Sequence, residues 1–336
     1  MTPNGLDLFG EEMEARMVPL ATRFKVPPFS VLNSREGWWQ TRKRWWVGHG
    51  IESEIGRGTS RPHNQGKDNR LGTTESEYKG GDCWRAGAAK SYNVGAGMED
   101  KGGGSRGDAS GTSIFDPVLC ELCYRWFCPM GGQVIDPFAG GSVRGIVAHM
   151  LGRKYWGSDL RQEQIDANEE QAAAIVSENR PVWVCGDSRD TLVLAPPADF
   201  IFSCPPYGDL ERYSDDPRDL STMTYPAFLE AYRGIIKAAA GKLKPDRFAC
   251  FVVGEFRDAS GNYRHFVGDT VTAFRDAGLS FYNEAILITA IGSLPIRITK
   301  QFVASRKLGK THQNVLVFVK GDGKQAAKAC GNVEVS

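Results

Sequence analysis

The stretch Gln133-Val134-Ile135-Asp136-Pro137-Phe138-Ala139-Gly140-Gly141-Ser142 decides how the rest of the chain is read. A short apolar run ends in an aspartate, turns on two glycines and passes directly into an apolar helical pattern over 143–151. Glycine lets the backbone turn sharply with no Cβ in the way, so the segment reads as the opening of a β-strand-to-helix unit. Working outward, a helix over 117–127 is expected upstream, with Asp116 as its cap and Pro117 at its first position. Downstream, strands over 154–159, 182–185, 199–202 and 248–253 alternate with helices over 162–177, 227–243 and 266–277, the last stopping at Gly278. Two further strands, 284–290 and 314–319, flank a basic connection. This alternation predicts an α/β fold: a mostly parallel sheet with helices on both faces and an antiparallel pair at one edge.

In such sheets ligands bind beyond the carboxyl ends of the strands, where the strand order reverses. The unusual residues of this chain collect there. Gly140 and Gly141 permit close approach of a ligand to the backbone, and the helix that follows offers N–H groups to an anion. Asp159 ends the next strand, where a carboxylate can accept both hydroxyls of a ribose, although an ordinary helix cap fits it equally well. Asp187 follows the third strand and could accept from an adenine amine. Ser203-Cys204-Pro205-Pro206-Tyr207 follows the fourth. Consecutive prolines fix the backbone and leave carbonyls without neighbouring N–H donors, and Tyr207 adds a flat face, an arrangement suited to a planar amine.

The 336 residues are 41% hydrophobic and 24% charged, which excludes a fibrous repeat and wholesale disorder. The 41 Lys and Arg balance the 40 Asp and Glu to a net +1, so any nucleic-acid contact must come from local patches. No apolar run approaches the roughly 18 residues that span a bilayer, and no secretory leader is read; a cytoplasmic protein with no membrane partner is expected. The eight cysteines then read as free thiols. Cys120 and Cys123 have the spacing of half a zinc site, but no second pair follows, and an apolar stripe through Phe115, Leu119, Cys123, Trp126 and Phe127 accounts for them; no metal is expected. Residues 1–56 carry a Trp- and Arg-rich segment, 57–111 a Gly-rich linker or mobile loop, 112–320 the alternating domain and 321–336 a flexible tail.

The two strand-end motifs together resemble those of the S-adenosylmethionine-dependent DNA amino-methyltransferases, which modify adenine N6 or cytosine N4. Asp136 to Ser142 looks like the cofactor motif of that family, and Cys204-Pro205-Pro206-Tyr207 like its catalytic motif, with the resemblance running over 112–320. It implies a Rossmann-like class I methyltransferase sheet and S-adenosyl-L-methionine as cofactor. The cofactor would be held by Thr112, Ser113 and Phe115, by Asp136, Phe138, Ala139, Gly140 and Gly141, by Asp159 and Leu160, and by Asp187 and Ser188. It implies double-stranded DNA as partner, with a flipped base stacked on Tyr207 and its amine facing the Pro205 carbonyl. A phage source and a cognate restriction nuclease are suggested by general character alone.

One position departs from the family. Asp, Asn or Ser usually precedes Pro-Pro-Tyr, and here it is Cys204, a poorer acceptor than a carboxylate or amide. Its likeness in size to serine tilts the expectation slightly toward cytosine N4. An RNA base on the same fold, or a non-catalytic DNA-binding module, stays open as an alternative. DNA contacts are expected from Trp39, Arg42 and Arg44, in a cluster that reads equally well as a local core, and from the basic connection with Arg297, Arg306, Lys307 and Lys310.

Overall fold

The computed structural model describes residues 26–51, 115–208, 213–292 and 294–333. The expected linker over 57–111, with Thr112 and Ser113, lies outside the described residues.

Eight strands form one sheet: β1 (Val31–Asn33), β2 (Gln133–Asp136), β3 (Lys154–Asp159), β4 (Val182–Cys185), β5 (Ala198–Ser203), β6 (Leu243–Val253), β7 (Ser280–Ile288) and β8 (His312–Lys320). Their order is β1-β7-β8-β6-β5-β2-β3-β4. From β2 the chain steps outward through β3 and β4, then returns to place β5 on the other side of β2. The reversal of strand order therefore falls between β2 and β5, which pair in parallel at Val134 with Phe200 and Ile135 with Ile201. β7 and β8 form the expected antiparallel pair; β8 also runs antiparallel to β6, while the remaining pairings are parallel.

Among the described residues the helices are α1 (Gly37–Gly48), α2 (Pro117–Phe127), α3 (Val143–Met150), α4 (Gln162–Ile175), α5 (Ser188–Thr191), α6 (Tyr225–Lys242), α7 (Phe266–Asp276), α8 (Leu294–Ser305) and α9 (Gly323–Cys330). The cap expected for α2 is in place, with the Asp116 carboxylate accepting from Val118 N at 2.9 Å. Strand side chains alternate between two cores. Phe200, Phe202, Phe248, Cys250 and Val252 pack with α1, α2 and α3 on one face. Ile201, Ala249, Phe251 and Val253 pack with α6 and α7 on the other. Each fully buried large side chain contributes about 1.5–3 kcal/mol of transfer free energy. With both faces covered, β5 is buried at all six positions, and its centre, Phe200-Ile201-Phe202, is an unbroken apolar run.

One expectation is corrected and two elements are new. Within the expected flexible tail over 321–336, residues 323–330 form α9, which is capped by Asp322 through Gln325 N at 2.8 Å and buries Ala326 completely. The amino-terminal segment joins the sheet, β1 adding to the outer edge of β7 with Val31 opposite Ile286. The basic connection between β7 and β8 carries α8 at its centre.

Candidate active site

The ends of β2 and β5 are tied together by side chains. Asp136 is fully buried, and both of its oxygens are used. Oδ1 accepts from Phe138 N at 3.1 Å and from Ser203 Oγ at 2.5 Å. Oδ2 accepts from Arg144 Nε at 2.5 Å and from Tyr155 Oη at 2.8 Å. Asp136, expected to hold the cofactor, is thus a buried hub with no free oxygen for a ligand. Burial of the Tyr155 phenol raises its pKa well above the usual value, which keeps it a neutral donor.

Arg144 is the cationic half of this hub, and nothing in the strand-end motifs singled it out. Its Nη2 donates to the carbonyls of Phe138 at 2.6 Å and Ala139 at 2.8 Å, and its guanidinium lies over the Phe115 ring at 4.5 Å. Burial is the largest single effect and opposes its charge, but Asp136, Tyr155 and Cys204 together outweigh it and raise the Arg144 pKa. A buried arginine eight residues after a strand end leaves no periodic mark in a sequence.

The glycine turn is held from three sides. Gly140 has a left-handed φ of 49°, and a Cβ there would meet only Arg144 Nη2, at 4.0 Å. Its N–H donates to Asp159 Oδ2 at 2.9 Å, and its carbonyl accepts from Asn168 Nδ2 at 2.7 Å. Asn168 belongs to a polar face of α4 with Gln164 and Gln171, and Gln171 accepts from the Ser142 hydroxyl. The open space over Gly140 is what a ligand approaching the backbone requires.

Asp159 stands at the end of β3, half-buried, with Leu160 beside it. Each carboxylate oxygen accepts one backbone N–H, from Gly140 and from Arg161 at 3.0 Å, so each keeps acceptor capacity. Burial raises its pKa; the two backbone bonds and Arg161 pull the other way and are outweighed.

Asp187 differs from expectation. It caps α5 through Arg189 N, and the Arg189 side chain closes on both of its oxygens, with Nη2 at 2.5 Å from Oδ2. Burial alone would raise its pKa, but the Arg189 bonds lower it overall. An adenine amine meets this carboxylate only after Arg189 turns away. Ser188 is also taken, its hydroxyl donating to the Pro137 carbonyl at 2.5 Å. Phe138 turns into the second core against Tyr232 and Phe251, and Ala139 is fully buried.

Beyond β5, Pro205 is buried, while Cys204, Pro206 and Tyr207 are half-buried. Tyr207 sets its ring edge-on to Phe266 at 6.2 Å, accepts from Gln313 Nε2 at 3.0 Å and lies with its oxygen 3.8 Å from Cys204 Sγ. Gly208 has a φ of 53°, and a Cβ there would strike Phe256 at 2.9 Å. Of the connection that follows, 213–224 wraps onto itself, with Asp219 capping the turn Leu220–Thr222 and accepting from Ser214; Glu211 and Arg212 lie outside the described residues.

The expected nucleic-acid contacts divide. Trp39 is fully buried and donates to Asp116 Oδ1 at 3.2 Å, so it offers no stacking face. Arg42 is forked onto the buried Glu121, with Nη2 to Oε1 at 2.7 Å. These two belong to a local core. Arg44 and Arg306 are exposed, and Arg306 lies over the Phe302 ring. Lys307 and Lys310 are half-buried against Gly261 and Gly254, and burial lowers the Lys310 pKa. Arg297 falls in α8, with its side chain outside the described residues. Cys120, Cys123 and Cys128 are buried, with Cys120 and Cys123 inside α2.

No protein-family model and no curated protein matches the chain. Several solved structures are similar to parts of the chain. TrmN from Thermus thermophilus is 17% identical, with a TM-score of 0.42, over 61% of this chain and 49% of that one. The chain thus spans about half the length of that protein. Magnesium protoporphyrin IX methyltransferase (ChlM) from Synechocystis PCC 6803, solved with bound SAM, is 15% identical with a TM-score of 0.40 over 61% and 79%. A TehB-like SAM-dependent methyltransferase from Corynebacterium glutamicum is 17% identical with a TM-score of 0.39 over 63% and 91%.

Proposed function

We propose that this chain is an S-adenosylmethionine-dependent methyltransferase acting on an exocyclic amine of a base in double-stranded DNA, with cytosine N4 slightly favoured over adenine N6. The observation that carries the reading is the bond from Ser203 Oγ to Asp136 Oδ1 at 2.5 Å, which couples the Cys-Pro-Pro-Tyr run to the glycine turn at the point where strand order reverses. When bound, the cofactor supplies an electrophilic methyl group. The chain's own part is to bind and aim. Gly140 admits the ligand to the backbone, and Asp159 has acceptor capacity for ribose hydroxyls. The Phe115 face and Leu160 line the same end of the sheet.

A duplex base reaches such a pocket only by leaving the stack, and Tyr207 offers the ring that receives it. The Pro205 carbonyl accepts from the amine and relieves the positive charge that grows on nitrogen during transfer. Positioning of this kind can supply about 7–11 kcal/mol of a barrier where two reactants are held in line. Arg44, Arg306, Lys307 and Lys310, with Arg297, are the phosphate contacts of this reading.

The test is expression in a bacterial host without DNA methylation, followed by sequencing that separates N4-methylcytosine, N6-methyladenine and C5-methylcytosine. A recurrent motif carrying N4-methylcytosine is the expected result. Modification at C5 would overturn the amine chemistry, and an unmodified genome from a protein that binds the cofactor would overturn DNA as the substrate.

A further inference from the structure

Gln313 sits on β8, 106 residues beyond the tyrosine it touches. Its Nε2 donates to the Tyr207 oxygen at 3.0 Å, and that oxygen lies 3.8 Å from Cys204 Sγ. A phenol has a single proton. With one lone pair taken by the Gln313 amide, the hydroxyl is free to aim its proton at the sulfur. The ring that carries it is set edge-on to Phe266, which holds the oxygen within reach of both partners. Burial, then the charge of Cys204 and the bond to it, raises the Tyr207 pKa well above the usual phenol value against the weaker pull of the Gln313 bond, so the proton stays available.

We propose that Gln313 is the positioning residue of this site, turning the Tyr207 hydroxyl onto Cys204 so that the sulfur becomes a hydrogen-bond-supported acceptor beside the Pro205 carbonyl. The assignment rests on the methyltransferase reading and deepens it, because it gives the thiol a means of filling a place that calls for a good acceptor. A donor aimed at sulfur favours the thiolate, and an ionised acceptor binds an amine N–H more strongly than a neutral thiol does. Arg144 adds positive charge near the same sulfur. No covalent bond forms or breaks. Among the described residues, Tyr213 on the same connection, Tyr232 on α6 and Arg144 on α3 are titratable groups that also act on Tyr207 or Cys204.

The experiment measures alkylation of Cys204 by iodoacetamide in the full chain at one fixed pH, resolved by peptide mass spectrometry, with the exposed Cys185 as internal reference. Gln313→Glu introduces a carboxylate that accepts the Tyr207 proton instead of donating to its oxygen. Alkylation of Cys204 should slow about tenfold, the loss of roughly one hydrogen bond to the thiolate. Tyr207→Phe, nearly isosteric, should slow it about equally, and adding Gln313→Glu to Tyr207→Phe should change nothing more. In the methylation assay Gln313→Glu should lower kcat about tenfold with cofactor Kd unchanged. A wild-type alkylation rate in either single variant, or additive effects in the double, overturns the proposal. Alkylation is read without methyl transfer, so an intact relay in a protein that methylates nothing overturns only the methyltransferase reading.

Discussion

At the scale of the residue, Asp159 makes the cofactor reading measurable through pH. Its pKa in the folded chain is raised, chiefly by burial, so the carboxylate begins to take up a proton above the ordinary Asp value of about 3.9. Ribose hydroxyls donate to the ionised form. Cofactor affinity should therefore be full at neutral pH and fall as pH drops through the raised pKa. Calorimetric titration of S-adenosylmethionine from pH 8 down into the ordinary Asp range should show that decline in the wild type. Asp159→Asn should bind roughly tenfold more weakly at pH 8, in keeping with the loss of a charged hydrogen bond, and show no comparable slope. A slope that survives the substitution would assign the pH dependence to another group. Arg144 and Asp136 work at the same scale without touching a ligand: they neutralise each other under the glycine turn and fix two of its carbonyls.

At the scale of the element, α1 and α2 form a clamp around Glu121. That carboxylate is fully buried and accepts from Arg42 Nε and Nη2, Trp46 Nε1 and Arg125 Nε, all at 2.7–2.9 Å. Removing one partner of a buried ion network costs about 3–5 kcal/mol, because the remaining charges stay behind without compensation. Glu121→Ala should lose about that much in urea unfolding, whereas Arg44→Ala, on the exposed side of the same helix, should stay within about 0.5 kcal/mol. Equal losses would mean that the clamp does not hold α1 in place. The clamp also shows where the sequence stopped being informative. Trp39, Arg42 and Arg44 read as one cluster, and only contact with Glu121 and Asp116 separates the buried pair from the exposed arginine. β2 to β5, α3 and α4 were legible because glycine turns and runs of apolar residues are local marks; β4 was placed residue for residue, whereas the single turn of α5 left no periodic mark. β1 was not, since three residues show no period and its pairing with β7 is entirely long-range. α8 was missed among basic residues, many of its side chains being exposed and offering no buried stripe. Gln313, Arg144 and the α4 polar face became visible only when tertiary contacts gave them partners.

At the scale of the whole molecule, the first and last parts of the chain close one sheet. Ser34 Oγ donates to the Ile288 carbonyl at 2.7 Å, and Leu32, Trp39, Trp46 and Ile51 complete the core on the α2 face. Deleting residues 1–51 should therefore uncover the β7 edge and an apolar face together. The truncated chain should unfold at lower temperature and self-associate, as followed by thermal melting and light scattering. A truncation that melts and stays monomeric like the full chain would show that this closure is dispensable.

The closure also imposes a schedule on the newborn chain. Ser34 leaves the ribosome 254 residues ahead of the carbonyl it will bind. At about 5–20 residues per second, the first strand waits on the order of tens of seconds before its partner exists. For that interval the two buried tryptophans can find α2, but the strand before them has nowhere to go. The oldest of the described strands is thus among the last to be joined to the sheet.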